Sequence, residues 1–276
     1  MVPMPDRQTA PMRCAERSLL DEPLAGTAAE AGGFVLVEHP GPWGERALEE
    51  SGRGDLERRC KALGLRALLV RPAAQRRAAA GRAYVAWCGP DPFLCAVQPD
   101  GLEDLLETLA AGVAPAGDRL EGRLWLVCTN GKRDRCCAKD GVPVAQALAE
   151  RLPDGALECT HLGGHRFAAN VLLLPEGLAF GRVTVNDVDE LLEGVATGRP
   201  PARLLRGRSS LVPAAQAAEI VLGPRLAHPR VELTGDVVHV GGRSVLVTEE
   251  PLDPRPVSCG VEPEPLTTWR AELLPA

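Results

Sequence analysis

No run of apolar residues in this chain approaches the eighteen or so that a membrane helix needs. The opening MVPMPDRQTAPMR lacks the basic-then-apolar order of a secretory leader, so neither a membrane span nor export is expected. Basic residues are not gathered either: 31 Lys and Arg are interspersed among 37 acids for a net charge of −6. That leaves no stripe to recommend a nucleic-acid or anionic-membrane partner. No dinucleotide fingerprint is present, because the Gly-Gly pairs at 163 and 241 lack the strand, turn and helix around them. Glycine and proline, 29 and 25, are scattered as punctuation and do not form a low-complexity block, the first dozen residues being the one candidate exception. Aromatic residues supply only 3% of the 276, yet 45% of the chain is hydrophobic, which is ample for a core and long enough for two domains or one with an appendage.

What the chain does have is cysteine, nine of them, an odd number in a protein too long to need disulfide staples. The expected compartment is the reducing cytoplasm, with the thiols acting as packing groups, metal ligands or redox centres. Cys128 and Cys137 stand on either side of TNGKRDRC, and His161 and His165 follow at H-x3-H spacing. Thiolate and imidazole bind soft or borderline metals, and two of each suit tetrahedral zinc or a [2Fe–2S] cluster. The cysteines are too far apart for a zinc finger, and a loop-held cluster fits the spacing better. Lys132 and Arg133 are read as donors offsetting cluster charge, and Gly163 and Gly164 as letting the backbone fold tightly enough for both imidazoles to reach one metal.

Periodicity organises the rest. Short apolar runs at 34–37, 67–72, 82–88 and 93–98 read as strands, with amphipathic helices over 45–63, broken near 51–54, and 102–111. QRRAAAG, 75–81, reads as a link or short helix. The same order returns later: strands at 123–128, 156–160 and a hairpin around Glu176-Gly177, with helices over 142–152 and 188–196. The fold class expected is therefore α/β, two tandem thioredoxin-like units produced by internal duplication, with a small α+β extension of helix and β-meander. The expected boundaries are 1–118, a unit without cluster ligands, 119–198, the ligand-bearing unit, and 199–276, the extension.

The motifs C-x-x-G-x-R-D-x-C-C and H-x-G-G-H-x-x-A-x-N resemble those of the sucrase/ferredoxin-like proteins, as do EPLAGTA and EHPGPWG near the start. The resemblance implies a thioredoxin-like ferredoxin domain with a [2Fe–2S] centre bound by two cysteines and two histidines, as in fungal members related to actin-patch distribution. By position the ligands are Cys128, Cys137, His161 and His165. An electron carrier of this kind implies a separate redox donor or acceptor protein, and the oligomeric state is left open. The sucrase half of the family name finds no pair of carboxylates assignable as acid and nucleophile.

Competing readings are a zinc-binding interaction protein using the same four residues, and a dithiol oxidoreductase using Cys136 and Cys137. Otherwise Cys136 and Cys159 are expected as packing or neighbouring residues, Cys60, Cys88 and Cys95 as core, and Cys14 and Cys259 as unremarkable loop thiols. His39 and Trp43 suggest a structural loop, His228 and His239 isolated satisfied histidines, and Arg203, Arg206 and Arg208 a solvated face.

Overall fold

The computed structural model describes residues 12–75 and 81–275. The expected loose start and most of the 75–81 link lie outside them. In chain order the strands are β1 (Gly33–Glu38), β2 (Leu65–Pro72), β3 (Ala83–Trp87), β4 (Phe93–Val97), β5 (Asp118–Arg119), β6 (Leu124–Cys128), β7 (Ala156–Cys159), β8 (Val171–Leu174), β9 (Leu178–Phe180), β10 (Leu205–Arg208), β11 (Val231–Thr234), β12 (Val237–Val240), β13 (Arg243–Arg255) and β14 (Glu264–Leu273). The helices are α1 (Cys14–Asp21), α2 (Ala47–Glu50), α3 (Gly54–Ala62), α4 (Leu106–Ala110), α5 (Arg135–Arg151), α6 (Val188–Ala196) and α7 (Pro213–Val221). None of the described helices is long and apolar enough to cross a membrane.

The duplication is visible in the strand order. A ten-stranded sheet runs β10-β9-β8-β6-β7-β2-β1-β3-β4-β5. Each half contributes a parallel pair, β1 with β2 and β6 with β7, flanked by an antiparallel hairpin, β3-β4 or β8-β9. This is the β-α-β, link, β-β-α order of a thioredoxin-like unit, twice. The two units meet where β2 and β7 pair antiparallel, with Arg71 opposite Glu158. One sheet therefore serves both.

Continuous apolar runs such as LWLVC and VLLL form strands buried on both faces, as strands covered by helices should. On one face two separate cores lie under the helices: Val35, Leu56, Leu69 and Leu106 in the first half, Val127, Leu148, Leu173 and Leu191 in the second. On the other face a single core runs through both halves, from Phe34, Leu68 and Tyr84 to Leu126, Cys159 and Leu172.

Residues 205–208, within the expected extension, add β10 to the edge of the large sheet beside β9. Beyond it α7 packs on a four-stranded antiparallel sheet, β11-β12-β13-β14, the expected meander. Its last two strands form a long hairpin whose tip, 256–263, returns to the body of the molecule beside α1 and α5.

Candidate metal centre

Cys128 ends β6, and the chain then turns through Thr129–Asp134 into α5. Asp134 is the N-cap, its side chain accepting from the Cys136 N–H at 2.8 Å. The helix thus begins at 135, seven residues before the expected 142, and carries Cys136 and Cys137 in its first turn. This corrects the picture of both cysteines on a loop. Gly141 and Pro143, which look like punctuation, sit inside the helix. A Cβ at Gly141 would collide with the Cys128 carbonyl oxygen, so glycine is what lets α5 close onto β6.

The vicinal cysteines part company because successive residues on a helix point about 100° apart. Cys137 faces Cys128: their sulfurs and a ring nitrogen of His161 all lie within 4.8 Å of one another. Cys136 faces away, toward Cys14 and Cys259. All nine cysteines are free thiols.

The histidine loop follows β7, whose C-terminal end lies beside that of β6, with Cys128 opposite Cys159. Gly163 and Gly164 have φ of 89° and 68°, left-handed conformations that a side chain disfavours, and they bring the chain round to a short 3-10 turn at His165–Phe167. The His161 and His165 rings stack with centroids 4.3 Å apart and planes inclined by 25°. His165 therefore stands behind His161 and outside the tight group of three. The Nδ1 atoms of both rings are buried without a hydrogen-bond partner, a costly arrangement unless another acceptor of their lone pairs is supplied.

What holds this loop is a pair of arginines that sequence reasoning missed, Arg66 partly buried and Arg206 fully buried. Arg66, on β2, donates to the carbonyls of Leu162 at 2.8 Å and His161 at 2.9 Å. Arg206, on β10, donates to the Gly163 carbonyl at 2.9 Å, to Asn170 Oδ1 at 2.8 Å and to both oxygens of Thr27. Asn170 in turn donates to the Gly164 carbonyl. Every carbonyl from 161 to 164 is thereby occupied.

The expectation of a solvated arginine face is accordingly corrected. Arg206 is 2% and Arg208 0% exposed, Arg208 being paired with Glu219 and four backbone carbonyls. Only Arg203 is exposed, with Asp187 and Glu190 as partners. Lys132 and Arg133 are exposed too, Arg133 lying 3.5 Å from Glu45, so the positive charge packed against the site comes chiefly from Arg66 and Arg206.

The electrostatics suit ligation. Cys128 is held well below the usual thiol range by a hydrogen bond from Cys137, with His161 and the Leu162 N–H adding to the effect against burial. Cys137 is pushed up correspondingly by its bond to Cys128 and by burial. His165 is lowered to about 4, by burial first and His161 second, and is therefore neutral at pH 7, the state a ligand requires. Arg206 is lowered to about 9 by burial, then by Arg166 and Arg66. The Cys128 and Cys137 sulfurs and the His161 ring, with the neutral His165 ring stacked behind it, fit a soft metal centre.

His161 is the more accessible imidazole. It lines a cavity of about 470 Å³ together with Asn130, Arg133 and Thr160 on one side and Leu48, Lys61 and Arg66 on the other. Nearby, the His39–Gly44 loop is structural as expected: Trp43 is buried under the Arg71 guanidinium, 4.0 Å from its ring centroid. Asn130 donates to the Gly44 carbonyl, which ties this loop to the cysteine turn. Cys60, Cys88, Cys95 and Cys159 lie in the apolar cores. His228 bonds Ser210 and Pro229, and His239 bonds Ser244.

A family model described as Sucrase/ferredoxin-like matches residues 24–207. No curated protein matches the chain. Two solved structures, both variants of the thioredoxin-like [2Fe-2S] ferredoxin from Aquifex aeolicus, are each 22% identical to it. Each covers 30% of this chain and 97% of its own, with a TM-score of 0.27.

Proposed function

Since this chain belongs to the sucrase/ferredoxin-like family, whose model spans 24–207, we propose that it is a [2Fe–2S] electron carrier with its cluster held by Cys128, Cys137, His161 and His165. The observation that carries the reading is the donor set itself. Two sulfurs at the start of α5 and end of β6 face His161, His165 stacks behind it, and the buried Nδ1 atoms of both rings have no hydrogen-bond partner. When bound, the cluster supplies a one-electron couple. Two imidazoles in place of thiolates make such a centre less negative, and the nearby Arg66 and Arg206 guanidiniums act in the same direction, so its potential lies above that of all-cysteine ferredoxins.

The protein's own contribution is position and access. Arg66, Arg206 and Asn170 fix the histidine loop through its carbonyls, while Gly141 and the Asp134 cap fix the cysteines. The cavity beside His161 is where a separate donor or acceptor protein would approach. The carrier is placed in the cytoplasm, where nine unpaired thiols are at home.

Anaerobic purification tests the proposal. Red-brown protein containing iron and acid-labile sulfide is the expected result, with the cluster lost in Cys128→Ala and Cys137→Ala and retained in Cys136→Ala. Colourless protein with zinc in these four residues would overturn it, and so would normal cluster content in Cys137→Ala.

A further inference from the structure

A second sulfur-rich group lies on the opposite side of the start of α5. Cys14, Cys136 and Cys259 come from the first turn of α1, the first turn of α5 and the tip of the β13–β14 hairpin. Their sulfurs form a nearly equilateral triangle: Cys14 to Cys136 3.6 Å, Cys136 to Cys259 3.4 Å, Cys259 to Cys14 3.6 Å. The Asp134 carboxylate closes the figure, its oxygens 3.8 and 4.0 Å from the Cys14 sulfur. Two of the three cysteines fall outside the stretch that matches the family, 24–207.

We propose that Cys14, Cys136, Cys259 and Asp134 form a structural zinc site. Tetrahedral zinc with Zn–S bonds of about 2.3 Å sets its sulfurs about 3.8 Å apart, and a carboxylate oxygen at about 2.0 Å lies about 3.5 Å from each sulfur. The observed triangle is close to that size. An iron–sulfur cluster would divide the three thiolates between at least two irons and spread them more widely than one ion does. Disulfide chemistry could pair two of the three thiols and would strand the third.

The surroundings are arranged for thiolates. The Ala15 N–H, at the start of α1, donates to the Cys136 sulfur, and the Cys14 N–H donates to the Cys259 sulfur. Free amides at a helix start favour negative charge. Arg135 reaches Cys259, and Arg13, paired with Asp140 at 2.6 Å, lies near Cys136. Asp134 is oriented by three donors: the Cys136 N–H on Oδ1, and the Ser258 hydroxyl and Cys259 N–H on Oδ2. This leaves Oδ1 a lone pair for the metal. On binding, the three thiols release their protons to solvent, and the ion joins segments 122 and 123 residues apart in sequence.

The site stands independently of the cluster reading, and the test separates the two. The full-length chain, purified anaerobically without chelator, is assayed for zinc, iron and sulfide. The expected result is about one zinc per chain, falling to under about a tenth in Cys259→Ser and Cys14→Ser while iron and sulfide stay at the wild-type level. Cys137→Ser is expected to do the reverse. Should the serine variants fail to fold, X-ray absorption at the zinc edge of the wild type decides, a shell of three sulfurs and one oxygen supporting the site. Three outcomes would overturn it: zinc retained in a folded Cys259→Ser, a disulfide among the three cysteines, or wild-type protein that, after chelation and thiol reduction, takes up neither zinc nor cobalt with thiolate charge-transfer absorption.

Discussion

Arg206 shows how much of the centre depends on single side chains remote from it in sequence. Its guanidinium supplies donors to Gly163, Asn170 and Thr27 at once, and each acceptor left bare in the interior costs about 1–3 kcal/mol. Arg206→Met is expected to destabilise the protein by at least ~2 kcal/mol in urea unfolding and to lower its iron content. Arg206→Lys should recover only part, since an ammonium lacks the planar fork. His228 carries a pH signature. Burial first and Arg208 second push its pKa below the ordinary value, and the neutral ring is held between Ser210 and the Pro229 carbonyl. Its stabilisation is complete above about pH 6.5 and is lost as pH falls through the lower folded value. The stability advantage of wild type over His228→Gln, followed by urea midpoints, should therefore shrink on acidification; a constant advantage would refute this. That Cys128, Cys137 and His161 come together could be anticipated, because ligand chemistry is carried by residue type and spacing; that His165 stands outside their group could not. Arg66 and Arg206 were not, because what they grip lies 95 and 43 residues away.

At the scale of the element, α5 is the part on which both sulfur groups turn. Gly141→Ala would drive a methyl into the Cys128 carbonyl and lever the helix off β6, at about 1–3 kcal/mol for an overpacked contact. Lower thermal stability and reduced cluster content are expected together, and wild-type values of both would count against the role given to this glycine. The helix also shows where local reading fails. Gly141 and Pro143 signal a break by propensity, but the interior burial of Val144, Ala145 and Leu148 outweighs them, and the true start is marked by the Asp134 cap. By contrast the strands 124–128 and 93–97 could be read directly, because an unbroken apolar run between turn residues has few other uses.

Over the whole molecule the decisive feature is the seam between the halves. Arg71 and Glu158 face each other across β2 and β7, joined at 2.8 and 3.0 Å, with Thr129 donating to the same carboxylate oxygen. Removing the acid leaves a mostly buried guanidinium without this partner. Glu158→Ala is therefore expected to cost about 3–5 kcal/mol and to weaken both halves together, seen as a single displaced unfolding transition. Two separate transitions would mean that the shared core does not couple the units. The tandem order was legible from repeated patterns. That β2 would pair with β7 was not, since nothing local in either strand specifies a partner in the other unit.

The C-terminal hairpin gives synthesis an order. Cys14 leaves the ribosome early, Cys136 follows 122 residues later, and Cys259 is added only after a further 123. Until that hairpin has been translated, the start of α5 has one of its flanks uncovered, and a chain interrupted before residue 259 cannot complete the triad. The triangle of sulfurs is thus a mark that only a polypeptide translated through its last sheet can carry.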